Sequence, residues 1–257
     1  MSLEKEVEIL PGAGPFHFEG NDIGIIMIHG GGGGTCADLK PLAEDLNKIG
    51  GYTISLPLLP GFGTSPEKLQ TTTIEEWKKA VELEFKSLQQ KCSKVFVGGH
   101  SMGGVLTLIL ASKVNLTGLF TISAPIGIKG IAIKLVPLIK LFMKYYPVNI
   151  EEFKKQTKGK WVGYDKIPLN IVKKFKKLIN EMKSSLDKVK SPAILFQGIK
   201  DEVINDNSMD YIYDKIRSEY KKKVWLKNNE HAILDCPDHD IIVSELHAFF
   251  TKICQQS

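Results

Sequence analysis

Short apolar runs rich in branched residues recur along the chain and predict the strands of one sheet. Their continuous apolar character is typical of strands that are covered on both faces. The segment Glu6 to Leu10, ahead of Pro11-Gly12, is a candidate outer strand. The predicted core strands are Ile23 to Ile28, Tyr52 to Leu56, Val95 to Val97, Leu119 to Ser123, Ala193 to Gln197 and Val224 to Leu226.

Segments with helical periodicity separate these runs. Thr35 and Asp38 have the spacing of a capping box before the first helix, Gly50-Gly51 ends it, and Thr73 precedes the second helix. Strands that alternate with helices predict a parallel sheet with helices on both faces. The predicted helices are Ala37 to Lys48, Ile74 to Gln89, Gly104 to Ser112, Asn207 to Lys215 and Ile241 to Cys254.

One connection is far longer than the others. Residues 124–192 separate two predicted strands by 69 residues, whereas most connections in compact domains have about 2 to 6. Helical patterns at Ile131 to Tyr146, Ile150 to Gln156 and Leu169 to Lys188 fill this length. We therefore expect a single α/β domain over residues 1–257, with a helical insertion at residues 126–190, the cap segment, over the carboxyl edge of the sheet.

Composition narrows the class of protein. The 257 residues are 43% hydrophobic and 25% charged, which excludes a disordered or collagen-like chain. No run approaches the ~18 apolar residues of a membrane span, and the first residues lack the apolar core of a secretory signal, so we expect a cytoplasmic protein. The scattered Cys36, Cys92, Cys236 and Cys254 favour reduced thiols over a disulfide framework or a zinc site.

The net charge of +5 is unevenly distributed. Residues 127–190 hold 16 Lys and 5 acidic residues, a net of +11, so the rest of the chain carries −6. Arg217 is the single arginine, and lysine lacks the planar two-pronged geometry that favours phosphates and base edges, which argues against nucleic-acid binding. The lysines either solvate a surface or, as a hypothesis, attract the cap segment to anionic membranes.

The chemistry is indicated by Gly99-His100-Ser101-Met102-Gly103, which matches the G-x-S-x-G pattern of a nucleophile elbow. In this turn a serine between a strand and a helix exposes its hydroxyl group. An apolar strand pattern precedes the motif and an apolar helix pattern follows it, as the elbow requires. A serine with a purely structural role in a turn is the alternative interpretation.

A serine hydroxyl needs a base to remove its proton. His231 lies between the last strand and the last helix, on a loop that can reach Ser101, and His239 is the fallback. Asp201 follows the predicted strand Ala193 to Gln197 and is our candidate for the acid that orients His231. The resulting order of Ser101, Asp201 and His231 is the order that a nucleophile elbow predicts.

An acyl-transfer site also needs donors for an oxyanion. The run Gly30 to Gly34 exposes backbone N–H groups, so we assign this role to the N–H groups of Gly31 and Met102. The run does not fit a dinucleotide loop, because no glycine lies three positions after a G-x-G that begins at Gly30 or Gly31, as the G-x-G-x-x-G pattern requires. It does not fit a phosphate loop either, because no G-K-[ST] sequence follows. A flexible structural turn is the alternative for the glycines beyond Gly31.

These motifs together resemble the α/β-hydrolase fold family, and within it the small bacterial carboxylesterases and monoacylglycerol lipases, over nearly the whole chain. The resemblance implies a mostly parallel eight-stranded sheet, a serine triad, a small helical cap between strands six and seven, and ester hydrolysis without a cofactor. The family often has a bulky residue where this chain has Gly31, and we expect this glycine to widen the acyl pocket. The family also often has a glycine where this chain has Glu230. The motifs are His29-Gly30, residues 99–103, Gly118-Leu119 through Ser123-Ala124-Pro125, Gln197 to Asn205, and His231.

We therefore expect a serine carboxylesterase that hydrolyses small-molecule esters of short to medium acyl chains through an acyl-enzyme. A monoacylglycerol lipase is the alternative. A thioesterase, an amidase or a perhydrolase would use the same triad, and a binding protein of this fold usually lacks one triad residue. Apolar positions of the cap segment either line an acyl pocket or pack on the sheet: Ile131, Leu135, Leu138, Ile139, Phe142 and Met143.

Overall fold

The main sheet has seven strands: β1 Phe16–Phe18, β2 Ile23–Ile28, β3 Thr53–Leu56, β4 Lys94–His100, β5 Gly118–Ile122, β8 Ala193–Gly198 and β9 Lys221–Leu226. Their order across the sheet is β1-β3-β2-β4-β5-β8-β9. The computed structural model describes residues 8–129 and 143–256. All neighbouring strands run parallel except β1, which pairs antiparallel with β3. A separate antiparallel pair consists of β6 Tyr145–Pro147 and β7 Lys166–Pro168.

The six predicted core strands are present, with small shifts at their ends. The resemblance implied eight strands, and the described residues form seven in the main sheet. The outer antiparallel strand is β1 and not the predicted Glu6 to Leu10: residues 8–10 are not in a strand, and residues 1–7 lie outside the described part. In β1 the exposed His17 lies between two half-buried phenylalanines, and this alternation is too short to stand out in the sequence.

Helices cover both faces of the sheet. The first predicted helix begins as a 3-10 turn, Cys36–Asp38, with Thr35 as its N-cap: Thr35 Oγ1 accepts the Ala37 N–H at 3.4 Å, while the Asp38 N–H donates to the Thr35 carbonyl. The Asp38 side chain accepts the Thr35 N–H, so the predicted Thr35/Asp38 capping box forms in part. No sequence pattern indicated the six-residue helix α2. The helices are α1 Lys40–Gly50, α2 Pro66–Thr71, α3 Ile74–Gln89, α4 Met102–Ala111, α5 Ile150–Gln156, α6 Asn170–Lys183, α7 Ser208–Lys215 and α8 His239–Gln256.

The alternation of side chains in the central strands explains why two apolar clusters form. Ile26 and Ile28 of β2 join the cluster that contains residues of α3, α4 and α6, while Ile25 and Met27 join the cluster that contains residues of α1 and α8. Every residue of α4 is buried, as expected for a helix that is apolar all round. The sheet is therefore the central layer between two helical layers. The four cysteines are free thiols.

The connection between β5 and β8 contains β6, α5, β7, α6 and a final 3-10 turn, Leu186–Lys188. The predicted helix Ile150 to Gln156 is α5, and the predicted Leu169 to Lys188 is α6, which ends at Lys183. Most of the predicted helix Ile131 to Tyr146 lies outside the described residues, as do five of its six apolar positions. Tyr145 and Tyr146 belong to β6. Within residues 8–129 and 143–256, no helix has the length and apolar character to cross a membrane.

Thr73 provides a test of helix α3, because its capping box is complete. The Thr73 N–H donates to Glu76 Oε2 at 2.7 Å, and the Glu76 N–H donates to Thr73 Oγ1 at 3.2 Å. We expect Thr73→Ala to lower the free energy of unfolding by about 1 kcal/mol, because a helical N–H loses its acceptor. Urea denaturation measures the change. Thr71→Ala, at an exposed position in α2, is the control, and an equal loss in both variants would contradict the role of the cap.

Candidate active site

Ser101 lies in a sharp turn between β4 and α4. Its backbone has φ 52° and ψ −115°, a strained conformation for a residue with a side chain. Two glycines make the turn sterically possible: a Cβ atom at Gly99 would lie 2.5 Å from the Ile28 carbonyl oxygen, and one at Gly103 would lie 2.6 Å from the Ile28 carbonyl carbon. The Ser101 N–H donates to the Ile122 carbonyl at 2.8 Å. The motif therefore has the geometry of a nucleophile elbow.

His231 reaches Ser101 from the loop after β9. Its Nε2 lies 3.0 Å from Ser101 Oγ, which is hydrogen-bonding distance. The fallback candidate, His239, is the first residue of α8, and its Nε2 contacts Asp45 Oδ2 at 2.8 Å. The structure thus brings the first histidine to the serine and pairs the second with another carboxylate.

Asp201 completes the arrangement from the loop after β8. Its Oδ2 lies 2.8 Å from His231 Nδ1, and its Oδ1 accepts the N–H groups of Val203 and Ile204 at 2.9 and 3.2 Å. The Asp201 side chain is 0% exposed. Burial favours the neutral carboxyl, but the hydrogen bond and charge of His231, with the two N–H groups, hold the pKa of Asp201 below its ordinary value. Asp201 is therefore an anion that fixes the Nδ1–H tautomer of His231.

Sequence analysis missed two side chains that support these loops. His100 Nε2–H donates to the His231 carbonyl at 2.8 Å, so His100 holds the backbone of the His231 loop. Lys129 Nζ donates to the Asp201 carbonyl at 2.9 Å and to Asp206 Oδ1 at 2.5 Å, so it ties the start of the cap segment to the Asp201 loop. No sequence pattern identifies Lys129, because the contact joins residues 72 positions apart.

Gly31 and Met102, the two residues assigned as oxyanion donors, line the same cavity as Ser101. Met102 is the first residue of α4, where N–H groups have no acceptor within the helix and the helix dipole favours negative charge. His29 orients Gly31: its Nε2 accepts the Leu59 N–H at 3.1 Å, so its Nδ1–H donates to the Gly30 carbonyl at 2.7 Å. Because C=O and N–H point in opposite directions in a trans peptide, the Gly31 N–H points away from His29. His29 is a further residue whose role sequence analysis missed.

A cavity of about 1150 Å³ opens at Ser101, and its walls differ in polarity. Side chains of α4 and α6 form an apolar wall, and the loops after β8 and β9 form a wall of mixed polarity. The expectation that Gly31 widens this cavity is wrong, because the Phe175 ring of α6 fills the space beside it. The apolar wall includes Met102, Val105, Phe175, Leu178 and Ile179, and the mixed wall includes Lys200, Glu202, Asn228 and Glu230 together with Ile199, Val203, Ile233 and Leu234. In the described part of the chain no cluster of three or more metal-ligating side chains occurs.

Comparison with known proteins agrees with this geometry. Residues 20–238 match the family model described as serine aminopeptidase, S33. The chain belongs to this serine hydrolase family. A thermostable monoacylglycerol lipase of Bacillus sp. (strain H-257) is similar over nearly the full length, with 33% identity across 97% of this chain and 99% of that protein. The fold is that of the α/β-hydrolases.

Two further similarities connect this family member to ester-cleaving enzymes. A carboxylesterase of Bacillus subtilis (strain 168) is 29% identical over 93% of this chain and 96% of its own length. Among solved structures, a metagenome-derived lipolytic enzyme superimposes with a TM-score of 0.86 at 26% identity, covering 95% of this chain and 100% of that one. The superposition thus extends over nearly the whole length of both chains.

The buried imidazoles of the site make the stability of the protein depend on pH. Burial lowers the pKa of His29 to about 4 and that of His100 to about 3. Because these values lie below the ordinary 6.5 of histidine, the unfolded chain binds more protons between pH 6.5 and 4, and stability falls as pH falls through this window. From pH 7 to pH 5 we expect a loss of about 2 kcal/mol for each buried imidazole in the free energy of unfolding, measured by urea denaturation.

His100→Gln is the matched variant for this measurement, because glutamine keeps an N–H donor for the His231 carbonyl and does not titrate. It should lose about half of the pH dependence that the two imidazoles cause. An unchanged pH dependence in the variant would show that His100 does not contribute.

Proposed function

We propose that this protein is a serine carboxylesterase in which Ser101, His231 and Asp201 are the catalytic triad. The observation that carries the proposal is the continuous relay from Ser101 Oγ through both nitrogens of His231 to the buried Asp201. The relay opens into a cavity with one apolar wall. The carboxylesterase and the monoacylglycerol lipase to which the chain is similar support the same class of substrate, a carboxylic ester.

The geometry leads to a two-step mechanism. His231 Nε2 accepts the proton of Ser101 as Oγ attacks the ester carbonyl carbon, and the imidazolium that forms is stabilised by Asp201. The same imidazolium then donates its proton to the leaving alcohol, and an acyl-enzyme remains on Ser101. His231 next takes a proton from water as the water attacks the acyl group, and it returns that proton to Ser101 Oγ when the acyl–Oγ bond breaks and the acid leaves.

The oxyanion of each tetrahedral intermediate lies between the N–H groups of Met102 and Gly31. Both donors belong to the backbone, so their positions depend on α4 and on the loop that His29 orients. Donors that are in place before the reaction need no reorganisation when charge develops, and one such donor contributes about 10² to 10³ in kcat.

The substrate follows from the two walls of the cavity. An acyl chain has its complement in the apolar side chains of α4 and α6, while the loops after β8 and β9, whose lining is of mixed polarity, leave room for the alcohol. A monoacylglycerol lipase is the second candidate, favoured by the similarity to the Bacillus lipase over nearly the whole chain. Initial rates on p-nitrophenyl esters from acetate to palmitate distinguish the two, because a long-chain optimum favours the lipase.

Ser101→Ala tests the role of the nucleophile. The substitution removes Oγ and leaves the N–H donors in place, so we expect kcat to fall by about 10³-fold or more, with an unchanged circular dichroism spectrum. Ser112→Ala, at the other end of α4, is the matched control and should keep its activity. If Ser101→Ala retained more than a tenth of the activity, the assignment would be wrong. If the unaltered protein hydrolysed none of the esters, a binding role or another acyl substrate would be favoured.

We also propose that the basic cap segment brings the enzyme to anionic lipid surfaces. Several of its lysines are exposed on α5 and α6, including Lys154, Lys155, Lys176 and Lys177. Each lysine near an anionic membrane contributes about 1 kcal/mol of attraction, which salt screens. We expect co-sedimentation with vesicles that contain phosphatidylserine at low salt and release at about 0.5 M salt.

The double variant Lys176→Glu/Lys177→Glu should weaken this sedimentation. The control is Lys86→Glu/Lys91→Glu, which reverses the charge at two exposed positions near the end of α3 and changes the net charge by the same amount. Equal effects of the two variants, or binding that does not depend on salt, would contradict a specific role of the cap segment.

A further inference from the structure

Gly31 has no room for a side chain. A Cβ atom at this position would lie 2.7 Å from Cε1 of Phe175, still closer to its Cζ, and 2.8 Å from Met102 Sδ. Real Cβ atoms essentially never approach other heavy atoms so closely. The neighbouring Gly32, by contrast, has no heavy atom within 4 Å of such a position. The ring of Phe175, from the cap segment, therefore crowds the residue that we assign as an oxyanion donor and leaves its neighbour Gly32 free.

The helix that carries Phe175 is held firmly against the core. Lys174 Nζ donates to the carbonyls of Leu69, Gln70 and Thr72 at 3.0, 3.0 and 2.5 Å, at the C-terminal end of α2. These three bonds attach α6 immediately beside Phe175.

Two further contacts hold the next turns of α6 and the ring itself. Glu181 pairs with Lys78 of α3 at 2.9 Å, and Met182 is fully buried. The Phe175 ring also lies against Trp77, with 6.4 Å between the ring centroids. A side chain at position 31 would therefore have to displace a ring that is packed on one side and anchored through its helix.

The position of the ring determines which part of a substrate it meets. Ser101 Oγ attacks the carbonyl carbon while the carbonyl oxygen lies between the N–H groups of Gly31 and Met102. Phe175 adjoins both of these residues and lines the same cavity. The atom of the substrate nearest to the ring is therefore the first acyl carbon beyond the carbonyl, and Leu178 and Ile179, one turn further along α6, extend the apolar wall.

We propose that Phe175 is a specificity-determining residue that limits branching at this first acyl carbon, and that its ring takes the place of a side chain at position 31. The inference depends on the proposed esterase function. According to this inference, one wall of the acyl site belongs to the cap segment. The proposed oxyanion donors beside Phe175 lie outside the cap segment, after β2 and at the start of α4. Linear acyl groups pass beside the ring, and acyl groups branched next to the carbonyl meet it.

The first test compares kcat/KM for p-nitrophenyl butyrate and p-nitrophenyl isobutyrate, which have the same number of carbons but differ in branching. Phe175→Ala should raise the isobutyrate to butyrate ratio by about tenfold, because it removes the obstacle to one methyl branch. Phe175→Leu keeps an apolar side chain on α6 and should give a smaller increase, so the test does not depend on the folding of the alanine variant. A ratio within about twofold of the original enzyme in both variants would overturn the proposal.

Phe153→Ala is the matched control. Phe153 is an aromatic residue of α5 that lines the outer part of the same cavity and stacks on Trp161, with ring centroids 5.2 Å apart. It does not approach Gly31, so its substitution should leave the branching ratio unchanged. A change in the ratio equal to that of Phe175→Ala would show that any loss of aromatic volume in the cap segment relaxes selectivity, and would overturn the specific role of Phe175.

The second test is a double-mutant cycle. Gly31→Ala alone should lower kcat/KM for butyrate by about tenfold, because the new methyl group displaces the ring or the loop. In the Phe175→Ala background the same substitution should cost less than about threefold, since the clash with the ring is gone. In the Phe153→Ala background it should still cost about tenfold. Equal costs in all three backgrounds would show that the ring and position 31 do not share one space.

The outcomes separate this inference from the proposed function. A protein that hydrolyses neither ester, with Ser101 intact, would overturn the proposed function and this inference with it. An active enzyme whose Ser101→Ala variant is inactive, but whose branching ratio does not respond to position 175, would overturn only the role of Phe175.

Discussion

The contact between the nucleophile turn and strand β2 is the constraint on which the site depends. Ser101 has a positive φ, and its turn can form only because Gly99 and Gly103 let the chain lie against the Ile28 carbonyl group. A side chain at either glycine would push α4 away from the sheet. The close approach places the hydroxyl of Ser101 at the carboxyl edge of the sheet and the first N–H groups of α4 beside it. The proposed nucleophile and one proposed oxyanion donor are thus products of one backbone geometry.

The parallel sheet brings the other two members of the triad to the same edge. β8 and β9 pair in register, so Asp201 and His231, which follow them, emerge side by side. Their loops are further held by bonds that the chemistry itself does not use. His100 binds the backbone of the His231 loop, and Lys129 binds the backbone of the Asp201 loop. The strands β8 and β9 therefore determine the edge of the sheet at which Asp201 and His231 emerge. The side-chain bonds of His100 and Lys129 determine where the two loops lie at that edge.

Two described parts of the connection between β5 and β8, Lys129 and helix α6, contact the elements of the candidate site. Through Phe175 helix α6 occupies the volume that a side chain after His29-Gly30 would need. Through Lys129 the first residues of the connection support the Asp201 loop. The proposed acyl wall thus lies on an element whose position depends on bonds to α2 and α3, while the proposed reacting groups lie at the edge of the sheet. Substrate selection can change in such an arrangement without a change in the triad.

Local sequence patterns determined the order of strands and helices and the identity of the three triad candidates. Apolar runs report burial, and a residue directly after a parallel strand lies at the carboxyl edge whatever the rest of the chain does, so Ser101, Asp201 and His231 could be selected in advance. The short strands β1, β6 and β7 could not, because three residues carry too little periodicity without their partners. Tertiary structure alone decided the roles of His29, His100, Lys129 and Phe175. Their contacts join segments whose separation along the chain leaves no local trace, and the space beside Gly31 is filled by a ring 144 residues away.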